Sequence, residues 1–181
     1  DATITPRIMA DRGAMLGGQY RYLQPSFAGR IEFEYLPSDD LRNDDDRSLV
    51  AIRHRHSFLN NRGRANVIFN NVSDDRYFSD FGNNLSITSQ VFIDRQITLS
   101  YRQGLFYAYA LVQDYQTVDE TIPAASEPYA RLPRIFLQAF APSNQYKIQA
   151  SVQADTTYFD RGDSVTGARI DLQPQINRVF R

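Results

Sequence analysis

The feature that most constrains this chain is a two-residue hydrophobic alternation that recurs from end to end, with helical periodicity hard to find anywhere. Tyr146–Ala154 shows it most plainly: Tyr146, Ile148, Ala150, Val152 and Ala154 share one face, and Lys147, Gln149, Ser151 and Gln153 share the other. Ala168–Ile176, Gln19–Leu23, Arg30–Leu36 and Gln96–Arg102 repeat the pattern. Such segments are strands with one apolar and one strongly polar face. Less regular candidates are Ala2–Met9, Ser48–Phe58, Arg64–Val72, Leu85–Ile93, Leu105–Tyr115 and Arg131–Phe140. The tally is about eleven strands. Asp11-Arg12-Gly13, Pro25–Gly29, Asn60–Gly63 and Pro142-Ser143-Asn144 carry turn chemistry, several of them short enough for antiparallel hairpins. Longer polar connections, Pro37–Arg47, Ser73–Asn84, Thr117–Pro128 and Asp155–Val165, tend to alternate with the short ones.

Alternation alone fits two architectures. In a soluble β-sandwich the apolar face is the core, whereas in an outer-membrane barrel it meets lipid and the polar face lines a lumen. Three features favour the barrel: the alternating short and long connections, strands of membrane-spanning length such as Gln145–Asp155, and tyrosines near candidate strand ends (Tyr22, Tyr35, Tyr101, Tyr146) where an aromatic girdle sits. The longest uninterrupted apolar run, Leu105–Val112, is eight residues, against roughly 20 for a membrane-spanning helix. No basic n-region followed by an apolar stretch opens the sequence at Asp1, so none of it is expected to be a signal peptide. A net charge of −1 gives no global basic field for nucleic acid, and the absence of cysteine excludes disulfides, thiolate metal sites and a cysteine nucleophile within these residues.

Several stretches resemble one family. Asp1–Met9, Arg12-Gly13, Gln19-Tyr20-Arg21-Tyr22-Leu23 and Glu34-Tyr35-Leu36-Pro37-Ser38-Asp39 are similar to the start of the barrel domain of the lipopolysaccharide-assembly outer-membrane proteins, the LptD family. Asp74–Phe81 resembles that family's Tyr-Phe-x-Asp-Phe segment, and Ala168–Asn177 a later strand of the same barrel. The resemblance implies an all-β fold of antiparallel up-and-down transmembrane strands, with residues 1–181 forming the N-terminal portion of a larger barrel. It implies a transporter that inserts lipopolysaccharide into the outer leaflet, with no catalysis and no cofactor. Expected partners are lipopolysaccharide, outer-membrane lipid, a plug lipoprotein (LptE-like) in the lumen and a periplasmic bridge protein (LptA-like) reached through a preceding domain. The family's disulfide cysteines fall outside the matched region. A general channel or receptor barrel and a soluble β-sandwich binding module are the alternatives.

Pro6 lies within the first candidate strand, where a missing N–H is tolerated mainly at an edge or bulge. The resemblance places this proline in a lateral gate; Ile4 and Ile8 beside it, and Gly17 and Gly18, which would weaken packing next to that seam, are the further gate candidates, while a plain strand start at Pro6 and a plain bulge at the glycine pair are the simpler readings. Arg7, Gln19, Arg21, Arg30, Glu32 and Glu34 share the polar faces of the first three strands, as a solvated, salt-bridged surface or as a lumen wall that admits charged saccharide. Glu32 and Glu34, about 7 Å apart along a strand, lack the cleft and adjacent base of a hydrolase. His54 and His56 could begin a zinc site, but Arg53 and Arg55 make their surroundings cationic, so no metal is expected. The acidic run Asp39-Asp40 and Asp44-Asp45-Asp46 lacks EF-hand spacing and reads as a solvated loop. Arg161-Gly162-Asp163 carries no weight. No phosphate-binding glycine loop, G-x-S-x-G elbow or H-E-x-x-H motif occurs.

Overall fold

In a computed structural model, residues 1–82, 89–143, 145, 147–162 and 164–178 are described. They form one 10-stranded sheet in which every strand pairs antiparallel with its neighbours in sequence. The strands are β1 (Ala2–Met9), β2 (Gly13–Leu23), β3 (Phe27–Asp39), β4 (Asp45–Phe58), β5 (Gly63–Val72), β6 (Phe92–Gln103), β7 (Phe106–Thr117), β8 (Ala130–Ala141), β9 (Ile148–Asp160) and β10 (Gly167–Arg178). The count is ten where the sequence reading had about eleven. Of the separate strand expected at Leu85–Ile93, Phe92 and Ile93 open β6, whose hydrogen bonding runs on through Gln96–Arg102; residues 83–88 lie outside the described set. Asn144, Tyr146 and Asp163, invoked above in a turn, a girdle and a tripeptide, lie outside it too.

The register puts the alternation to use. Directly opposed residues of antiparallel strands share a face, so Tyr20, Ile31, Ile52 and Phe69 make one apolar row across β2 to β5. Ala108, Leu137, Ala154 and Leu172 make another across β7 to β10. Among the described residues no second layer covers this face: Ile170 is 78% exposed and Leu172 64%. The sandwich alternative therefore fails, because its apolar face must be a core. Twelve residues at about 3.3 Å each, tilted by about 45°, cross a hydrocarbon layer of about 25–30 Å; four of the ten described strands are that length and three more are within one residue of it. Tyr22, Phe27, His54, His56 and Phe58 form a chain of ring contacts at one rim of this face, with centroids 5.7–6.2 Å apart.

A meander of this kind places connections after odd-numbered strands at one end and those after even-numbered strands at the other. The described residues 73–82 and 89–91, and 118–129, are thus at the same end, the long-loop end, while 24–26, 59–62 and 104–105 are at the short-turn end. At the long-loop end the polar face turns apolar through Met9, Met15, Leu36, Leu49 and Val72, and a one-turn helix α1 (Tyr77–Phe81) packs onto it. Here is the buried core of the described residues, completed by Ile93 and Val118. The β5–β6 backbone ladder stops at Ile68↔Gln96. Above it, side chains bridge the gap: the Gln116 amide donates to the Val72 carbonyl and accepts from the Val72 N–H, at 2.8 and 3.2 Å.

Candidate functional site

β1 is an edge strand, almost wholly exposed, so its outer N–H and C=O groups are open to another strand. Which groups these are follows from the ladder. Asp1 and Arg21 exchange both backbone bonds, each N donating to the other's carbonyl at 2.9 Å. Hydrogen-bonded pairs alternate with non-bonded ones, so Thr3↔Gln19, Thr5↔Gly17 and Arg7↔Met15 are bonded pairs. Ile4↔Gly18, Pro6↔Leu16 and Ile8↔Ala14 are non-bonded ones. The ring nitrogen of Pro6 therefore points away from β2, toward the open edge. Proline removes nothing from the β1–β2 hairpin; it removes a donor from whatever pairs outside.

Across the hairpin, Ile4, Pro6, Ile8 and Gly18 lie on the apolar face, and Gly17 lies on the polar one. The pairing of β2 with β1 and β3 runs through both glycines without a register shift, so no bulge exists there. Instead the Phe33 ring lies directly over Gly18, in the space a Cβ would fill.

Arg7, Gln19, Arg21, Arg30, Glu32 and Glu34 all fall on the polar face by register. Gln19 donates to Glu32 at 2.7 Å, Arg30 pairs with Glu32 at 3.2 Å and Arg21 with Asp1 at 2.6 Å. Glu34 has another role: it accepts a 2.6 Å hydrogen bond from the Tyr77 hydroxyl of α1. The two glutamates thus serve separate partners. His54 Nδ1 lies 2.7 Å from the Tyr22 hydroxyl, in the aromatic rim of the opposite face. Among the described residues no three His, Cys, Asp or Glu side chains gather as a metal site.

The acidic run, expected to be solvated, is partly interior. Asp39 has no exposure, and Arg47 is 2% exposed. Arg47 binds Asp39 at 2.8 Å, Asp74 at 2.6 Å and Asp80 at 3.0 Å; Arg12 adds bonds to Asp39 at 2.7 Å and to Asp80 at 3.0 Å. The Arg47 guanidinium also lies 4.8 Å from the Phe81 ring centroid. This hub ties the segment carrying α1 to β3, β4 and the β1–β2 turn. Burial pushes the Asp74 carboxyl up, but hydrogen bonds from Ser73 and Arg47 outweigh it and hold the group below the ordinary carboxylate range. Burial and the bond to Glu34 push the Tyr77 hydroxyl well above the usual phenol value. Sequence reasoning missed the hub, although Asp74–Phe81 was among the stretches it singled out.

A family description, LptD, LPS transport system D, matches residues 45–181. Proteins named LPS-assembly protein LptD are similar throughout. The one from Nitrosococcus oceani is 40% identical over 100% of this chain and 24% of its own length. The one from Nitrosomonas eutropha is 36% identical, over 97% and 25%, and the one from Acinetobacter baumannii 37%, over 94% and 22%. The chain therefore spans about a quarter of the length of the curated relatives it matches. These relatives are outer-membrane proteins of Gram-negative bacteria, and a sheet with an uncovered apolar face is stable in such a membrane. On the family match and the relatives' identity across the whole chain, this protein belongs to the LptD family of the outer membrane.

Proposed function

We propose that this chain forms the early strands of a barrel that transports lipopolysaccharide and assembles it into the outer leaflet, with the open edge of β1 as one side of a lateral gate. The observation that carries the reading is the nitrogen of Pro6, aimed at the edge where a closing strand would dock. A seam that opens must be weaker than its neighbours, and a proline there subtracts one ladder bond while leaving β1–β2 whole. Ile4 and Ile8 present apolar side chains beside that seam to acyl chains in lipid. The polar face, with Arg7, Gln19, Arg21, Arg30, Glu32 and Glu34, is the wall of a lumen that passes the saccharide.

Outer-membrane barrels carry long loops outside and short turns on the periplasmic side. In that orientation α1 and the Arg47 hub cover the outer end of the wall, and Asp1 starts at the periplasmic end, beside a domain that receives cargo from an LptA-like bridge. An LptE-like lipoprotein occupies the lumen. The work is translocation, with no covalent bond made or broken.

Restoring the missing donor tests the gate. A Pro6→Ala change in the full-length protein adds one seam hydrogen bond, worth about 0.5–1.5 kcal/mol net, and is expected to slow lipopolysaccharide delivery to the cell surface up to about tenfold. Barrel yield and the β1–β2 hairpin should be untouched. Delivery at the unaltered rate would overturn the gate reading.

A further inference from the structure

Lys147 is the single lysine, so the chain's cations are almost all arginines, and the fold treats two groups of them in opposite ways. At the long-loop end Arg47 is buried against three aspartates. At the short-turn end of the same polar face, arginines stand together without such partners. Arg21 is directly opposite Arg30, and Arg30 directly opposite Arg53, three like charges in one row across β2, β3 and β4. Arg55 lies two residues further along β4, and Arg64 is its diagonal neighbour on β5.

Directly opposed like charges destabilise a sheet. Asp1 offsets Arg21, and Glu32 offsets Arg30. Arg53 reaches only neutral oxygens, Asn70 Oδ1 at 2.8 Å and the Ile52 carbonyl at 3.3 Å. Among the described residues no carboxylate pairs with Arg53, Arg55 or Arg64, and all three are exposed. Arg53 faces Ile68 and Arg55 faces Ala28 and Asn66, while Asn70, Thr98 and Ser100 add uncharged polar groups nearby; the neighbouring carboxylates Glu32 and Asp94 bond to Arg30 and Asn70 instead. A structural role for these arginines would call for the kind of pairing that Arg47 has.

We infer that Arg53, Arg55 and Arg64, with Arg30 beside them, are a phosphate-binding station on the lumen wall for the phosphorylated head group of the transported lipid, reached from the short-turn end. The inference rests on the lumen reading of the polar face. Guanidinium forks match phosphate oxygens in geometry and charge and remain cationic at any working pH. The station is exposed to water, so each contact is weak. That suits a cargo that must be released, and the row Arg53–Arg30–Arg21 runs from the station toward the β1 edge.

The test uses the full-length protein with its plug lipoprotein, reconstituted in lipid vesicles and supplied with lipopolysaccharide either intact or stripped of its lipid A phosphates. For the wild type, intact cargo should be delivered faster. In the triple variant Arg53→Gln, Arg55→Gln, Arg64→Gln, three solvated charge contacts are lost together, about tenfold in all. Delivery of intact cargo should fall by that factor, while the dephosphorylated cargo should move as before. Added salt should narrow the wild-type preference. Loss of both cargoes alike in the variant, or of neither, would overturn the station. So would release of the plug lipoprotein by the variant, which would assign the arginines to an acidic surface of that partner. A wild type that delivers both cargoes equally defeats the station alone; one that delivers neither defeats the transport reading itself.

Discussion

Gly18 lies under the Phe33 ring, and a methyl group there would have to displace it. Glycine weakens a strand interior, but an aromatic ring from the neighbouring strand restores the lost packing. The pair therefore behaves as one unit, one strand in from the open β1 edge. Gly18→Ala in the full-length protein should cost about 1–3 kcal/mol through overpacking, and a Phe33→Ala background should remove most of that cost. Urea unfolding in lipid vesicles reads the cycle; an equal cost in both backgrounds would show that the ring and the glycine act separately. The sequence displayed Gly17-Gly18 openly, yet it could not separate a bulge from a glycine with a ring across it. The difference lies in which residue of β3 comes opposite, and that depends on register.

At the scale of elements, strands were legible wherever one face meets lipid and the other water, since that contrast writes itself into every second residue. Hence β2, β3, β6, β9 and β10 were visible, each longer in the structure than its clearest alternation. The helix α1 was not legible. Five residues give no period, and its aromatic positions Tyr77, Phe78 and Phe81 face a patch where the polar wall has itself turned apolar. Arg47 was hidden for a similar reason: it ends an acidic run that looks solvated until Asp39 is seen to be buried with it.

The segment bearing α1 also has a defined acid limit. The Asp74 carboxyl is held below its ordinary value, so its contribution is complete above the unfolded carboxylate value of about 3.9 and is lost as pH falls through the lowered folded value. Amide exchange of Tyr77–Phe81 in the intact barrel should stay slow from neutral pH down to that range and accelerate only below it. Acceleration already near pH 6 would show that the hub does not hold the segment.

Over the whole molecule, the net charge of −1 conceals a division along the strand axis. Aspartates gather at the long-loop end around Arg47, and unpaired arginines at the short-turn end. The backbone pairing scheme is equally one-dimensional, each strand pairing only with those before and after it. The hub reaches beyond that scheme, as the Gln116 bridge to Val72 does, since it clasps the β1–β2 turn, β3, β4 and the segment after β5 in one knot. Such a clasp is expected to set how sharply the first five strands bend ahead of the later ones. Those strands would then serve as a pre-curved seed whose radius the remaining strands inherit one hairpin at a time. Pulse proteolysis during refolding should find residues 1–80 protected ahead of β8 to β10. An Arg47→Met variant, which leaves buried Asp39 with Arg12 as its one cation among the described residues and costs about 3–5 kcal/mol, should erase that lead; protection in the same order with and without the clasp would show that curvature comes from the strands alone.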